Sequence, residues 1–118
     1  MIQESENKVS VAVLLAAKNG EKWIKSQIKS IFNQIQVQVF LYVSIDSSAD
    51  NTEKIVYGFK QKYKNISIIK NNLKNSSSAK NFFRLVVSLE QFKYDYFSFA
   101  DQDDIWLNNK LISAINFI

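Results

Sequence analysis

The chain has 118 residues, of which 47% are hydrophobic and 22% charged, with a formal net charge of +4. That is one domain's worth of polypeptide, able to bury roughly two thirds of its unfolded surface. Cysteine and histidine are both absent, which excludes disulfide frameworks, thiolate and imidazole metal sites, histidine general bases and Ser-His-Asp triads.

The chemistry left is that of carboxylates, lysines, hydroxyls and backbone. Gly20 and Gly58 are the only glycines, so no glycine-rich phosphate loop can be built. The 15 basic residues are scattered along the chain and read as ordinary solvation, with no nucleic-acid partner expected. No apolar stretch reaches the ~18 residues that a membrane span needs.

Residues 1–8 are a polar, loosely attached lead-in and not a signal peptide. Residues 9–16, Val-Ser-Val-Ala-Val-Leu-Leu-Ala, form a nearly continuous apolar run, as expected of a central parallel strand covered on both faces. A turn follows at Ala17-Lys18-Asn19-Gly20. From Glu21 to about Gln34, Trp23, Ile24, Ile28, Ile31 and Phe32 recur at helical spacing, predicting an amphipathic helix whose lysines and glutamines lie between the buried positions. Residues 37–46 are a second strand ending in Asp46. Asp50 as N-cap, with Glu53 three residues later, predicts a capping box for a second helix that buries Ile55, Val56, Phe59 and Tyr63.

Residues 66–70 are a short third strand, followed by a polar loop over 71–78 and a helix carrying Phe82, Phe83, Val86 and Leu89. Tyr94, Tyr96, Phe97 and Phe99 give the aromatic content of a buried fourth strand that stops at Asp101. Leu111, Ile112, Ile115 and Ile118 begin a last amphipathic helix. Strand and helix alternate throughout, which calls for an α/β fold: a mostly parallel sheet with helices on both faces, joined by right-handed crossovers. Ligands of such sheets lie beyond the carboxyl ends of the strands. Three of those ends are polar here, at residues 17–19, at Asp46 and at residues 101–104.

The last of these, Asp101-Gln102-Asp103-Asp104, carries three carboxylates. Taken alone, an Asp-x-Asp is ordinarily a solvated turn, with Asp104 or Asn108 capping the next helix. In extended backbone, however, Asp101 and Asp103 share one side while Gln102 points away. Two such charges about 5 Å apart repel by roughly 3 kcal/mol at an effective dielectric of 20 and by under about 1 kcal/mol in water. A hard divalent cation, Mg²⁺ or Mn²⁺, would compensate them. Trp106, beside Ile105 and Leu107, reads as core packing and not as a sugar platform.

The run over 9–24, Ser-x-x-x-Ser-Ile-Phe-Asn-Gln over 26–34, and the segments 46–52, 78–82 and 101–106 resemble, in order and spacing, the nucleotide-sugar-binding half of family 2 glycosyltransferases with the GT-A fold. The likeness spans residues 9–118 and is strongest to bacterial rhamnosyltransferase-like enzymes of polysaccharide assembly. It implies that Asp101 and Asp103 hold the divalent cation, with Asp101 also contacting the donor. Asp46 would accept from a uracil-type base, Lys80 would approach the diphosphate, and the turn Ala16, Ala17, Lys18 and Asn19 would flank the base. Three positions depart from the pattern: Lys18 stands where an aromatic residue commonly packs on the base, Ile45 replaces a frequent aspartate, and Ser47 a frequent glycine.

The function implied is transfer of a sugar from a UDP- or dTDP-linked donor to a saccharide or lipid-linked saccharide hydroxyl. The expected place is the cytoplasm, with peripheral attachment to the inner membrane through regions outside this chain. The family's general base is expected beyond Ile118, so the chain is expected to be a fragment, inactive alone. The rival readings are a non-catalytic nucleotide-sugar-binding module and a nucleotidyltransferase, the latter disfavoured by Ala17-Lys18-Asn19-Gly20, a poor phosphate loop.

Overall fold

The run Val9–Ala17 forms the first strand, β1, and it has a neighbour on each edge. In a computed structural model, which describes residues 8–46, 49–70 and 94–118, the chain continues through α1 (Glu21–Phe32), β2 (Val37–Ile45), α2 (Thr52–Lys62), β3 (Ile66–Lys70), β4 (Tyr96–Asp101) and α3 (Lys110–Phe117). All but Lys8 of the lead-in read over 1–8, Ser47, the segment read as a loop over 71–78, Lys80 and the helix read over Phe82, Phe83, Val86 and Leu89 lie outside the described residues.

The four strands form one sheet in the order β3-β2-β1-β4, and every pairing is parallel. The parallel α/β architecture expected from the alternation of elements is therefore present. Val11, Val13, Leu15 and Ala17 of β1 pack with Ile24, Ile28 and Ile31 of α1, Val56 and Phe59 of α2, and Leu111 of α3 in one core. On the other face Ala12 and Leu14 are equally buried, with Tyr42, Ile69 and Tyr94 against them. There the hydroxyls of Tyr42 and Tyr94 bond each other. Burial, reinforced by that bond, pushes the Tyr42 hydroxyl up to about 12.

The aromatic strand differs from expectation. Among the described residues β4 is an edge strand, and Phe97 and Phe99 are 42% and 56% exposed. Aromatic and β-branched residues report a pleated strand, not which strand of the sheet it is. Trp23 is likewise exposed, because α1 turns the face carrying Ile24, Ile28 and Ile31 to the sheet.

That buried face of α1 also carries Gln27 and Ser30, and the stripe continues to Gln34 just past the helix's C-cap at Asn33; all three are buried. The stripe holds the chain that follows β4. Gln27 Nε2 donates to the Asp101 carbonyl, and Ser30 Oγ, which donates to Gln27, accepts the Trp106 N–H at 3.1 Å. Gln34 Nε2 donates to the Leu107 carbonyl at 2.6 Å while its Oε1 accepts the Leu111 N–H at 2.9 Å. Helix α3 has no side-chain cap at Asn109, so Gln34, in the segment after α1, satisfies one of its orphan amides.

The second helix is capped by a different device from the box its sequence suggested. Asn51 is the N-cap, and Glu53 pairs instead with Lys70 at 3.0 Å. Asp50 bridges two helix starts: Oδ1 accepts the Thr52 N–H at 3.0 Å and Oδ2 the Glu21 N–H at 3.0 Å. Glu21 reciprocates by accepting the Asn51 N–H at 3.1 Å. Each carboxylate thus serves the positive N-terminus of the other helix as well. The Thr52 hydroxyl above all, with the Thr52 and Glu21 backbone amides and against partial burial, holds the Asp50 carboxyl below the usual carboxylate range.

Gln34→Leu leaves the Leu107 carbonyl and the Leu111 amide without their partner and is expected to cost about 1–3 kcal/mol in urea unfolding; a loss within about 0.5 kcal/mol would mark an ordinary surface position. For Asp50 the lowered folded pKa means that its contribution is full above the unfolded value of about 3.9 and is lost as pH falls through the lower folded value. Asp50→Ala should therefore melt below wild type at pH 7, and the gap should close on acidification below that range.

Candidate functional site

Because all strands are parallel, the carboxyl ends of β1, β2 and β4 share one edge. The chain places β2 and β3 on one side of β1 and then β4 on the other, so strand order reverses between β1 and β4, where such sheets bind ligands. Ala16 pairs with Asp101 across one side of β1, and Ala17 with Ile45 across the other. Asp46 continues the second pairing by donating its N–H to the Ala17 carbonyl at 2.9 Å. Asp46 and Asp101 therefore flank the end of β1, two strand spacings or about 10 Å apart. Asp46 is only 4% exposed, whereas Asp101 and Asp103 are exposed.

Between them lies the turn after β1. Ala17 is buried in the core, Ala16 is half-buried, and Lys18 and Asn19 are exposed. Asn19 takes the left-handed conformation at φ 47°, which asparagine tolerates better than most residues. Its Oδ1 accepts the Ala49 N–H at 2.7 Å, tying this turn to the segment after β2.

The acidic segment departs from the extended geometry expected of it. Strand β4 ends at Asp101, residues 102 and 103 turn, and the Asp104 N–H closes on the Asp101 carbonyl at 3.3 Å. Alternation along a strand therefore does not relate Asp101 to Asp103; their proximity comes from the turn. Gln102 does not point away either. Its Oε1 accepts the Lys18 N–H at 2.9 Å and its Nε2 donates to the Lys18 carbonyl at 2.8 Å.

Among the described residues the carboxylates of Asp101, Asp103 and Asp104 form no ion pair, and no group of three acidic side chains converges as a ready-made metal cage. Exposure places their repulsion near the water value, under about 1 kcal/mol per pair. Two oxygen-donor side chains in one turn fit a hard cation that completes its shell with water and phosphate oxygens. Asp104 and Asn108 cap nothing, since α3 starts only at Lys110 behind Asn109. Trp106 is 6% exposed within the main core, with Lys110 Nζ 5.4 Å from its ring centre, so packing is its role.

Lys80 lies outside the described residues, and the other expected site positions come together at this edge. The residues that sequence reasoning missed are Gln27, Ser30, Gln34 and Gln102. The first three could have been found: they are polar at positions whose helical phase matches Ile24, Ile28 and Ile31.

Residues 12–118 match Glycosyl transferase family 2. The dTDP-rhamnosyl transferase RfbG of Shigella flexneri is 41% identical over 103 residues, covering 86% of this chain and 36% of its own length. The Escherichia coli UDP-Glc:alpha-D-GlcNAc-diphosphoundecaprenol beta-1,3-glucosyltransferase WfaP is 31% identical over 109 residues, covering 92% of this chain and 41% of its own. Staphylococcus aureus TarS 1-349, solved in complex with UDP, superposes with a TM-score of 0.77 at 25% identity, over 93% of this chain and 32% of that one. The chain thus spans about two fifths or less of these proteins. On the match over residues 12–118 and the parallel sheet that carries it, the chain belongs to glycosyl transferase family 2.

Proposed function

We propose that the protein carrying this chain transfers a sugar from a uridine or thymidine diphosphate donor to an acceptor hydroxyl in bacterial surface polysaccharide assembly, and that this chain holds the donor. The observation that carries the reading is the placement of Asp46 and of the 101–104 turn on either side of the β1 end. A span of about 10 Å suits a ligand with a base at one end and phosphates at the other. Family membership and the UDP held by TarS support the same reading.

In this proposal the nearly buried Asp46 carboxylate accepts the N3–H of the base, a donor that uracil-type pyrimidines present between two carbonyls. The turn Ala16, Ala17, Lys18 and Asn19 flanks the base. Lys18 offers a cation where stacking would otherwise serve. Asp101 and Asp103 hold the divalent cation, Mg²⁺ or Mn²⁺, and Lys80 approaches the diphosphate as a point charge. When bound, the cation would offset charge developing on the departing diphosphate. Activation of the acceptor hydroxyl is assigned to none of these residues. The acceptor is proposed to be a saccharide or lipid-linked saccharide, as WfaP's name states for that protein. The place of work is the cytoplasm, at the inner face of the membrane.

Calorimetric titration of the chain with UDP and dTDP tests this. Wild type should bind at least one of them more tightly with Mn²⁺. Asp103→Ala should lose about tenfold or more of that gain, the loss of one charged ligand worth about 1.4 kcal/mol or more. Asp46→Asn should weaken binding with and without the metal. Metal-independent affinity that is unchanged in Asp103→Ala would remove the acidic turn from the site.

A further inference from the structure

Two turns make the site edge, and one side chain joins them. The β1–β4 ladder ends at the pair Ala16 and Asp101. Beyond it the Gln102 amide both accepts from the Lys18 N–H and donates to the Lys18 carbonyl, at 2.9 and 2.8 Å. A side-chain amide thus makes the two bonds that a backbone neighbour would have made, and it extends the ladder where the main chain has already turned. The same residue sits between Asp101 and Asp103 in the turn closed by the Asp104 amide. Behind that turn, Gln27 holds the Asp101 carbonyl.

Gly20 makes room for this arrangement. A Cβ there would lie 2.3 Å from Gln102 Oε1 and 2.7 Å from its Cδ. The Gly20 backbone itself is ordinary, at φ −107° and ψ 19°, so any residue could adopt it. What bars a side chain is the Gln102 amide, and that amide cannot step aside without giving up both bonds to Lys18.

We propose that Gln102 is a positioning residue that couples the two halves of the donor site, fixing the acidic turn relative to the turn after β1. This rests on the function proposed above. Its consequence is thermodynamic: a cation ordering residues 101–104 also orders residues 18–20 through Gln102, so metal and nucleotide tighten each other reciprocally. Neither carboxylate need touch the base for this to occur. Gln102 is suited to the task because it is neutral and both donates and accepts; a glutamate would lose the donor and add a fourth negative charge to the turn.

The test uses Gln102→Met, which keeps the length and removes both bonds, and Gly20→Ala, which keeps Gln102 and displaces its amide. The ratio of UDP affinities with and without Mn²⁺ is measured alongside the melting temperature and backbone amide hydrogen exchange. Both variants should lower that ratio by about fivefold or more, the small end of measured couplings, while still melting in one cooperative transition. In the ligand-free chain both should speed exchange at the Asp104 amide, whose own acceptor neither substitution removes. An unchanged ratio in both variants, or unchanged Asp104 exchange in both, would overturn the proposal. If wild-type UDP binding proved independent of metal, the donor-site reading would fall, and the Asp104 exchange would still decide whether Gln102 positions the turn.

Discussion

The register between β1 and β4 is the constraint on which the site depends. Residues more than 80 positions apart in the chain must pair so that Ala16 meets Asp101, and a slip of one residue would carry Asp101 to the opposite face. Closing so long a loop is entropically costly before any contact repays it. The ladder is pinned at both ends by side chains. At its start Asp95 Oδ2 accepts the Ser10 N–H at 2.9 Å, and the Asp95 N–H returns to the Ser10 carbonyl at 3.0 Å. At its finish Gln102 grips Lys18. Both clamps are polar and lie at the margins, while the apolar rungs between them supply burial but little direction.

Around that ladder the two loops of the site are held by neutral polar groups and helix ends. The stripe of Gln27, Ser30 and Gln34 meets the chain from Asp101 to Leu111 through main-chain atoms, so it fixes backbone position whatever side chains the loop carries. Under the turn after β1, Asp50 and Glu21 tie the starts of α1 and α2 together, and the Gly20 N–H donates to Thr52 Oγ1 at 2.7 Å. A partly satisfied network of this kind would cost more than an apolar one, since each orphaned buried group costs about 1–3 kcal/mol. The carboxylates of Asp101 and Asp103 lie outside these networks. Both are exposed and carry no counter-charge among the described residues.

Much of this was legible in the sequence. A nearly continuous apolar run gave β1, helical spacing gave the buried faces of α1 and α2, and the alternation of strand and helix gave the parallel sheet with its polar edge. What was not legible shares a physical reason: it depends on which element lies next to which. The aromatics of β4 mark a strand but not an edge position. Asp101 and Asp103 fit an extended pair until the strand stops between them. Asp50 followed by Glu53 matches a capping box, yet the second carboxylate is supplied by Glu21 from another helix, an exchange that no local spacing encodes. Gln27 and Gln34 look like the solvated side of a helix unless their phase is compared with that of the isoleucines. The part expected of Lys80 rests on motif likeness alone.

The central claim is that acidic side chains from separate strands meet at one rim to take a cation and a nucleotide. Nuclear magnetic resonance of the ¹⁵N-labelled chain, with UDP and substoichiometric Mn²⁺, tests it most directly, because paramagnetic broadening falls steeply with distance from the ion. The amides of residues 101–104 should broaden first, those of residues 16–19 next, and Asp46 should shift with uridine alone. Broadening centred on Glu53 or Asp95, with residues 101–104 unaffected, would contradict the account.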